Sequence, residues 1–160
     1  MSELPAHRAG NARIKVKVFA VILDETRTSH LVWRGHDEGR PFHRLLGGHL
    51  EFEEASVDCA VREIGEELGA RLLEPRLMGV LENVFVHEGE PGHEVIFVYA
   101  GDLDDPGNVP PEGRWFLDNE ERYRVEWRPV DVAPDHPHAA WPLYPTGLQE
   151  MLPSAAILEP

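Results

Sequence analysis

A single cysteine, Cys59, stands in the 160 residues, so no disulfide can close within the chain. That usage suits a reducing compartment and a fold that needs no covalent staple. Long apolar runs are missing as well. The longest, Val18 to Leu23, has six residues, whereas a membrane-spanning helix needs about 20, and Met1 to Arg13 carries no apolar core of the kind a secretory signal requires. A cytoplasmic protein with no membrane partner is therefore expected. Cations are the third scarcity: 15 Lys+Arg face 29 Asp+Glu, giving a formal charge of −14 and a pI near 5.0. Broad nucleic-acid binding draws its affinity from Lys and Arg at phosphates, and docking on anionic lipid needs the same residues, so neither is expected. A small anion can still bind such a chain where something cationic mediates.

The length fits one domain, and 42% hydrophobic with 8% aromatic residues is enough for a core. Residues 14–23 begin in strict apolar alternation and become continuously apolar, as a strand does on entering a sheet interior. Residues 24–29 read as a turn, 30–34 as the returning strand of a hairpin, and 35–41 as loop. A second hairpin pairs Arg76–His87 with Glu94–Leu103 across the breaker-rich segment 88–92. Between the hairpins a helix is predicted over Ala55–Leu68. There Val57, Ala60, Val61, Ile64 and Leu68 recur at steps of three and four, Glu53 and Glu54 favour its N-terminus, and Gly69 its end. Cys59 reads as leaning towards solvent. Residues 104–113 are loop, 125–130 a short strand, and 131–160 a proline-rich tail with a short helix near Thr146–Leu152. No repeat or linker divides the chain, so 1–160 is expected to be one domain with 1–13 as an N-terminal extension.

The helix's other flank carries the chemistry. Glu63, Glu66 and Glu67 fall at i, i+3 and i+4, bunching three carboxylates within about 100°. Like charges so placed repel, and Arg62 is the only Lys or Arg between Gly48 and Ala70 against seven acids, a local charge of −6. Hard divalent cations bind such oxygen clusters, Mg2+ favouring a few carboxylates completed by water and substrate phosphates. Taken alone, the same spacing also describes a solvated acidic helix face.

The surroundings of that cluster narrow the choice. Gly48, five residues, Glu54, seven residues, then Arg62-Glu63-Ile64-Gly65-Glu66-Glu67-Leu68-Gly69-Ala70 resembles the signature box of the Nudix hydrolases: glycine, five residues, glutamate, seven residues, Arg-Glu-aliphatic-x-Glu-Glu-x-Gly-aliphatic. Ala70 is smaller than the usual aliphatic, and Leu46 stands where most members have proline. The resemblance implies an α+β Nudix fold, a mixed β-sheet sandwiched between α-helices. It implies Glu63, Glu66 and Glu67 as metal-binding carboxylates for Mg2+ or Mn2+, with the Gly47 carbonyl as a further ligand. Arg62 would orient the glutamates, Glu54 would brace the loop-helix junction, and Gly48 and Gly69 would be structural. The implied reaction is attack of water on one phosphorus of a nucleoside diphosphate linked to another moiety, a small-molecule nucleotide substrate. Members are often dimers, so a homodimer is a state the resemblance allows.

Substrate identity is not legible in the sequence. The downstream markers of ADP-ribose, dinucleoside polyphosphate, coenzyme A and NADH hydrolysis are absent. Arg34 and Arg44 lie on the approach to the box and could meet phosphates, or could be plain surface arginines. Phe85, His87, His93 and Tyr99 could hold a base or sugar, with a core role the alternative for the apolar ones. Glu94, Glu112, Glu120 and Glu121 are candidates for the general base alongside the cluster glutamates. No histidine shows a soft-metal spacing. Two rivals share the fold: a nucleotide-sensing domain without turnover, which an intact glutamate set disfavours, and an isoprenoid diphosphate isomerase, which would want additional cysteine and aromatic acid-base groups.

Overall fold

Strand β1 (Lys15–Ile22) loses all exposure from Val18 onward, as its continuous apolar run requires. In the computed structural model, which describes residues 12–118 and 120–158, it lies inside a four-stranded sheet. Its neighbours are β4 (Leu46–His49), antiparallel, and β6 (Glu90–Leu103), parallel. Strand β5 (Leu72–His87) completes the order β4-β1-β6-β5. Helix α1 (Ser56–Leu68) covers one face, packing Ala60, Ile64 and Leu68 on Val18, Ala20 and Ile22. Helix α2 (Leu148–Ala156) covers the other, packing Leu148, Leu152 and Ala155 with Phe19, Val21 and Val98. The odd and even residues of one strand therefore serve two cores, the expected pattern for a strand buried on both sides. The mixed sheet sandwiched between helices is the fold the sequence led us to expect.

A second sheet of five strands takes the order β7-β8-β2-β3-β9, built from β2 (Ser29–Asp37), β3 (Arg40–Arg44), β7 (Arg114–Asp118), β8 (Glu121–Pro129) and β9 (Leu143–Tyr144). Here the sequence reading needs correction. Residues 14–23 and 30–34 meet only at a single bridge, Leu23 to His30, and belong to different sheets. The returning strand instead pairs with β3, and the segment read as loop, 35–41, is a hairpin around Glu38-Gly39. Both turn residues have positive φ, 49° and 80°, as at Glu88-Gly89 in the β5–β6 hairpin, the backbone of a two-residue turn that follows strand twist. Strand β7 was not foreseen.

The first long helix begins one residue later than expected, at Ser56. Cys59, read as solvent-leaning, is fully buried, because the glycine loop and His49 pack over that side of α1, and its thiol donates to the His49 carbonyl at 3.4 Å. Val57, placed on the packed face, is 36% exposed. The terminal helix starts at Leu148 and continues through Pro153 to Ala156. Most of the N-terminal extension, residues 1–11, lies outside the described residues. Among the described residues no helix is long and apolar enough to cross a membrane.

Candidate active site

Strand β4 delivers two glycines to the flank of α1, and the two are needed for different reasons. Gly47 has φ of 140°, and a Cβ there would collide with the Val18 carbonyl of the neighbouring strand. Gly48 sits directly under Glu63: a Cβ would come within 2.5 Å of all three carboxylate atoms. Backbone and carboxylate thus approach as no side chain would allow. The Gly47 N–H donates to the Glu67 carboxylate at 3.3–3.4 Å, tying loop to helix.

Arg62 organises the rest. Its Nε and Nη2 donate to Glu54 as a two-pronged pair at 2.7 and 3.0 Å, Nη1 reaches Glu63 at 2.9 Å and Glu66 at 3.3 Å, and Nη2 also meets the His49 carbonyl at 3.1 Å. One guanidinium therefore holds helix, loop and two of the three clustered carboxylates in register, a task for which its planar fork suits it. Glu54 also accepts the Glu51 N–H at 3.1 Å, closing the turn before the helix. The sequence placed Arg62 and Glu54 near this junction, and the structure brings them into direct contact.

The electrostatics follow from that wiring. Hydrogen bonds from Arg62 hold the Glu54 carboxyl down at about 2, and contact with Glu54, Glu63 and Glu66 raises the guanidinium further above its ordinary range. Glu63 moves the other way, pushed up by burial and by the charge of Glu66 despite Arg62. Glu66 is the open member, its side chain 59% exposed against 13% for Glu63. A carboxylate raised by burial and like charge is one that gains when a cation arrives. Three hard oxygen donors beside a backbone loop fit Mg2+ or Mn2+ better than any soft metal.

These carboxylates floor an open cleft of about 550 Å3. Arg44 lines it, the guanidinium stacked over Phe19 at 5.2 Å and Trp33 at 4.7 Å. Lys17 stands on the same wall, 2.6 Å from Glu94. Phe116 and Tyr123 line it as well, with the Trp33 and Tyr123 ring centroids 5.4 Å apart. Of the residues suggested for substrate, only Arg44 is brought to the cleft. Arg34 turns to the back of the second sheet and binds Glu126 at 2.6 and 2.9 Å; Phe85 packs on Gly92; and His93 meets Glu82 at 3.3 Å. Tyr99 bonds Ser56 at 2.7 Å. Lys17, Phe19 and Trp33 were missed: alternation puts Lys17 and Phe19 on one face of β1, but two-sided burial hides which face meets the cleft, and Trp33 comes from the other sheet. Among the suggested bases, Glu94 is buried against Lys17 and Glu121 accepts the Tyr123 hydroxyl at 2.7 Å.

A model of the NUDIX domain matches residues 13–147. The chain belongs to the Nudix family. Among curated relatives, the isopentenyl-diphosphate Delta-isomerase of Rhodobacter capsulatus is 30% identical over 145 residues, covering 87% of this chain and 76% of that one. The enzyme of the same name from Jannaschia sp. is 34% identical over 83 residues, covering 51% of this chain and 44% of its own length. The fold resembles that of a Nudix hydrolase from Nitrosomonas europaea, with a TM-score of 0.58 at 21% identity over 89% of this chain and 88% of that chain.

Proposed function

We propose that this Nudix protein is a metal-dependent hydrolase that cleaves a phosphoanhydride in a nucleoside diphosphate linked to a second group. The observation that carries the reading is the single guanidinium of Arg62 holding Glu54, Glu63 and Glu66 beside Glu67 and the Gly47–Gly48 loop at the floor of one cleft. Glu63, Glu66 and Glu67, with the Gly47 carbonyl, would hold Mg2+ or Mn2+. Such an ion, when bound, neutralises phosphate oxygens and lowers the pKa of a coordinated water. Arg62 and Glu54 keep the carboxylates preorganised, so that little rearrangement is needed on binding. Arg44 and Lys17, which line the same cleft as the glutamates, meet phosphate oxygens, and the aromatic side chains Trp33, Phe116 and Tyr123 receive the rest of the substrate. Glu66, the exposed carboxylate, or Glu121 on the β7–β8 hairpin takes the proton from water.

The curated relatives favour a second reading, isomerisation of an isoprenoid diphosphate. Against it stands the only thiol of the chain. Cys59 is buried under the loop, its thiol pushed up to about 12 by desolvation and the charge of Glu54, and it does not line the cleft. A panel of nucleotides, nucleotide sugars, dinucleotides and isopentenyl diphosphate, assayed with and without Mg2+, separates the readings. Metal-dependent release of phosphate or nucleoside monophosphate that is lost in Glu66→Gln and Glu67→Gln supports the hydrolase. Conversion of isopentenyl diphosphate without phosphate release supports the isomerase, and tight nucleotide binding without turnover a sensing domain.

A further inference from the structure

One face of the first sheet is covered over only part of its extent. Register sets Val80 of β5 beside Phe97 of β6, Phe97 beside Val18 of β1, and Leu77 beside Tyr99. Side chains paired in this way share a face, and it is the face on which α1 packs, because Val18 and Tyr99 belong to the core that α1 closes. Along β5 and towards the turn at Glu88-Gly89 the face stays open. Leu77, Val80, Val84 and Val86 are 49–70% exposed, and Val16 of β1 and Val57 of α1, at its margin, are 36% exposed.

Such a surface runs against the composition of the chain. With 29 Asp+Glu available, three of the four outward positions between Val80 and Val86 are valine, and Glu82 is the one acid among them. Strand β5 is also the end strand of its sheet. End strands are ordinarily charged, shortened or covered, and an apolar patch left on a soluble chain marks a contact surface.

Its size and its polar groups say what covers it. A whole Val or Leu side chain presents roughly 100 Å2 of apolar surface, so the six named above expose about 300 Å2, and the half-buried Phe97 and Val95 extend the patch. A stable interface takes about 800 Å2 from each partner, a little over half of it apolar. This face supplies most of that apolar share. Its polar groups are complementary to themselves: His93, beside Val84 in register, donates from Nε2 to Glu82 at 3.3 Å. A two-fold contact can therefore set each Glu82 against the partner's His93, with no carboxylate facing a carboxylate. A partner recognised by charge would find little here to hold.

We propose that the open face of β5 and β6 docks on the same face of a second copy of this chain, hairpin end on hairpin end about a two-fold axis. Lys17 and Phe19, which line the cleft, alternate with Val16 and Val18 onto the opposite face of β1, so the contact does not use them. It is independent of the hydrolase reading.

Sedimentation equilibrium of the full chain, from about 1 to 100 µM, tests it. The chain should form a dimer with Kd below about 10 µM, and Val84→Lys should raise that Kd at least about 30-fold by placing an ammonium in the apolar contact. Val84 is 70% exposed within one chain, so the variant should keep the parent's circular dichroism spectrum; should it fail to fold, Val86→Lys makes the same test. Leu117→Lys, at a position 69% exposed on the edge of the other sheet, should leave Kd within about twofold. A chain that stays monomeric at about 100 µM, including one that pairs only with a different protein, would overturn the proposal. So would a dimer that Val84→Lys does not weaken, or one that Leu117→Lys weakens as much.

Discussion

Gly48→Ala is the substitution that most sharply separates a braced carboxylate from an acidic surface. A methyl at this position would lie 2.5 Å from the Glu63 carboxylate, while carbon and oxygen atoms rest comfortably nearer 3.5 Å, so the carboxylate must retreat by about 1 Å. Retreat takes it away from Arg62 Nη1, now at 2.9 Å. The displaced atoms are the far end of a flexible side chain, so the cost is mainly the weakened bond to Arg62, about 0.5–1.5 kcal/mol, which in a chain of this size lowers Tm by roughly 1–6 °C. Activity should suffer more than stability. A misplacement of about 1 Å at a positioned group can lower turnover about 100-fold. Gly69→Ala is the control: its φ of 67° is strained for alanine, but nothing lies within 4 Å of the added methyl. It should cost about 1–2 kcal/mol of stability and leave the rate per folded molecule unchanged. Differential scanning calorimetry together with metal-dependent product release reads both effects. Gly48→Ala with full activity would refute the idea that Glu63 acts from the position seen here.

Arg62→Lys keeps the charge but loses the two-pronged grip on Glu54, and should reduce activity by about 10–100-fold; its metal affinity, measured by titration calorimetry, should fall in parallel. Arg44→Met should raise KM for a diphosphate substrate while leaving Mn2+ affinity within about twofold, the reverse of the pattern for Glu67→Gln. Acid should destabilise the fold in two stages. Burial holds His138 near 4 and His30 near 3, below the ordinary 6.5, so their neutral forms contribute stability in full above 6.5 that is lost as pH falls towards those values. Glu54 and Glu126 are held at about 2 against an ordinary 4.5, so their contribution is present above 4.5 and lost as pH falls through 2. Tm against pH should therefore decline below 6.5 and steepen below 4.5; a flat profile between 6.5 and 4.5 would contradict the buried neutral histidines.

How much of this was legible beforehand depends on the range over which each signal acts. Helix α1 and its glutamates were readable because a helix face is a local, three-to-four residue pattern, and the box fixes its glycines relative to that face. The β5–β6 hairpin was readable for the same reason, its breakers lying next to its strands. Partners across sheets were not. Ile14 to Arg34 looks like a hairpin locally, yet β1 finds its neighbours in β4 and β6, a choice made by which faces two helices cover. Cys59 was misjudged because the loop that buries it comes from β4, and Arg34 because a strand's alternation shows that Trp33 and Arg34 face opposite ways without showing which way the cleft lies. The contacts of Glu126 with Arg34, His43 and His138 draw on β2, β3, β8 and the tail, a convergence that no local spacing encodes.

The account stands most directly on the fate of water. In water enriched with oxygen-18, turnover of a cleaved nucleotide substrate by the Mg2+-loaded protein should place one heavy oxygen in a phosphate product, read by mass spectrometry, and Glu67→Gln should suppress it. Turnover of an isoprenoid diphosphate with no oxygen-18 entering any phosphate, and no labelled product from any nucleotide, would contradict it.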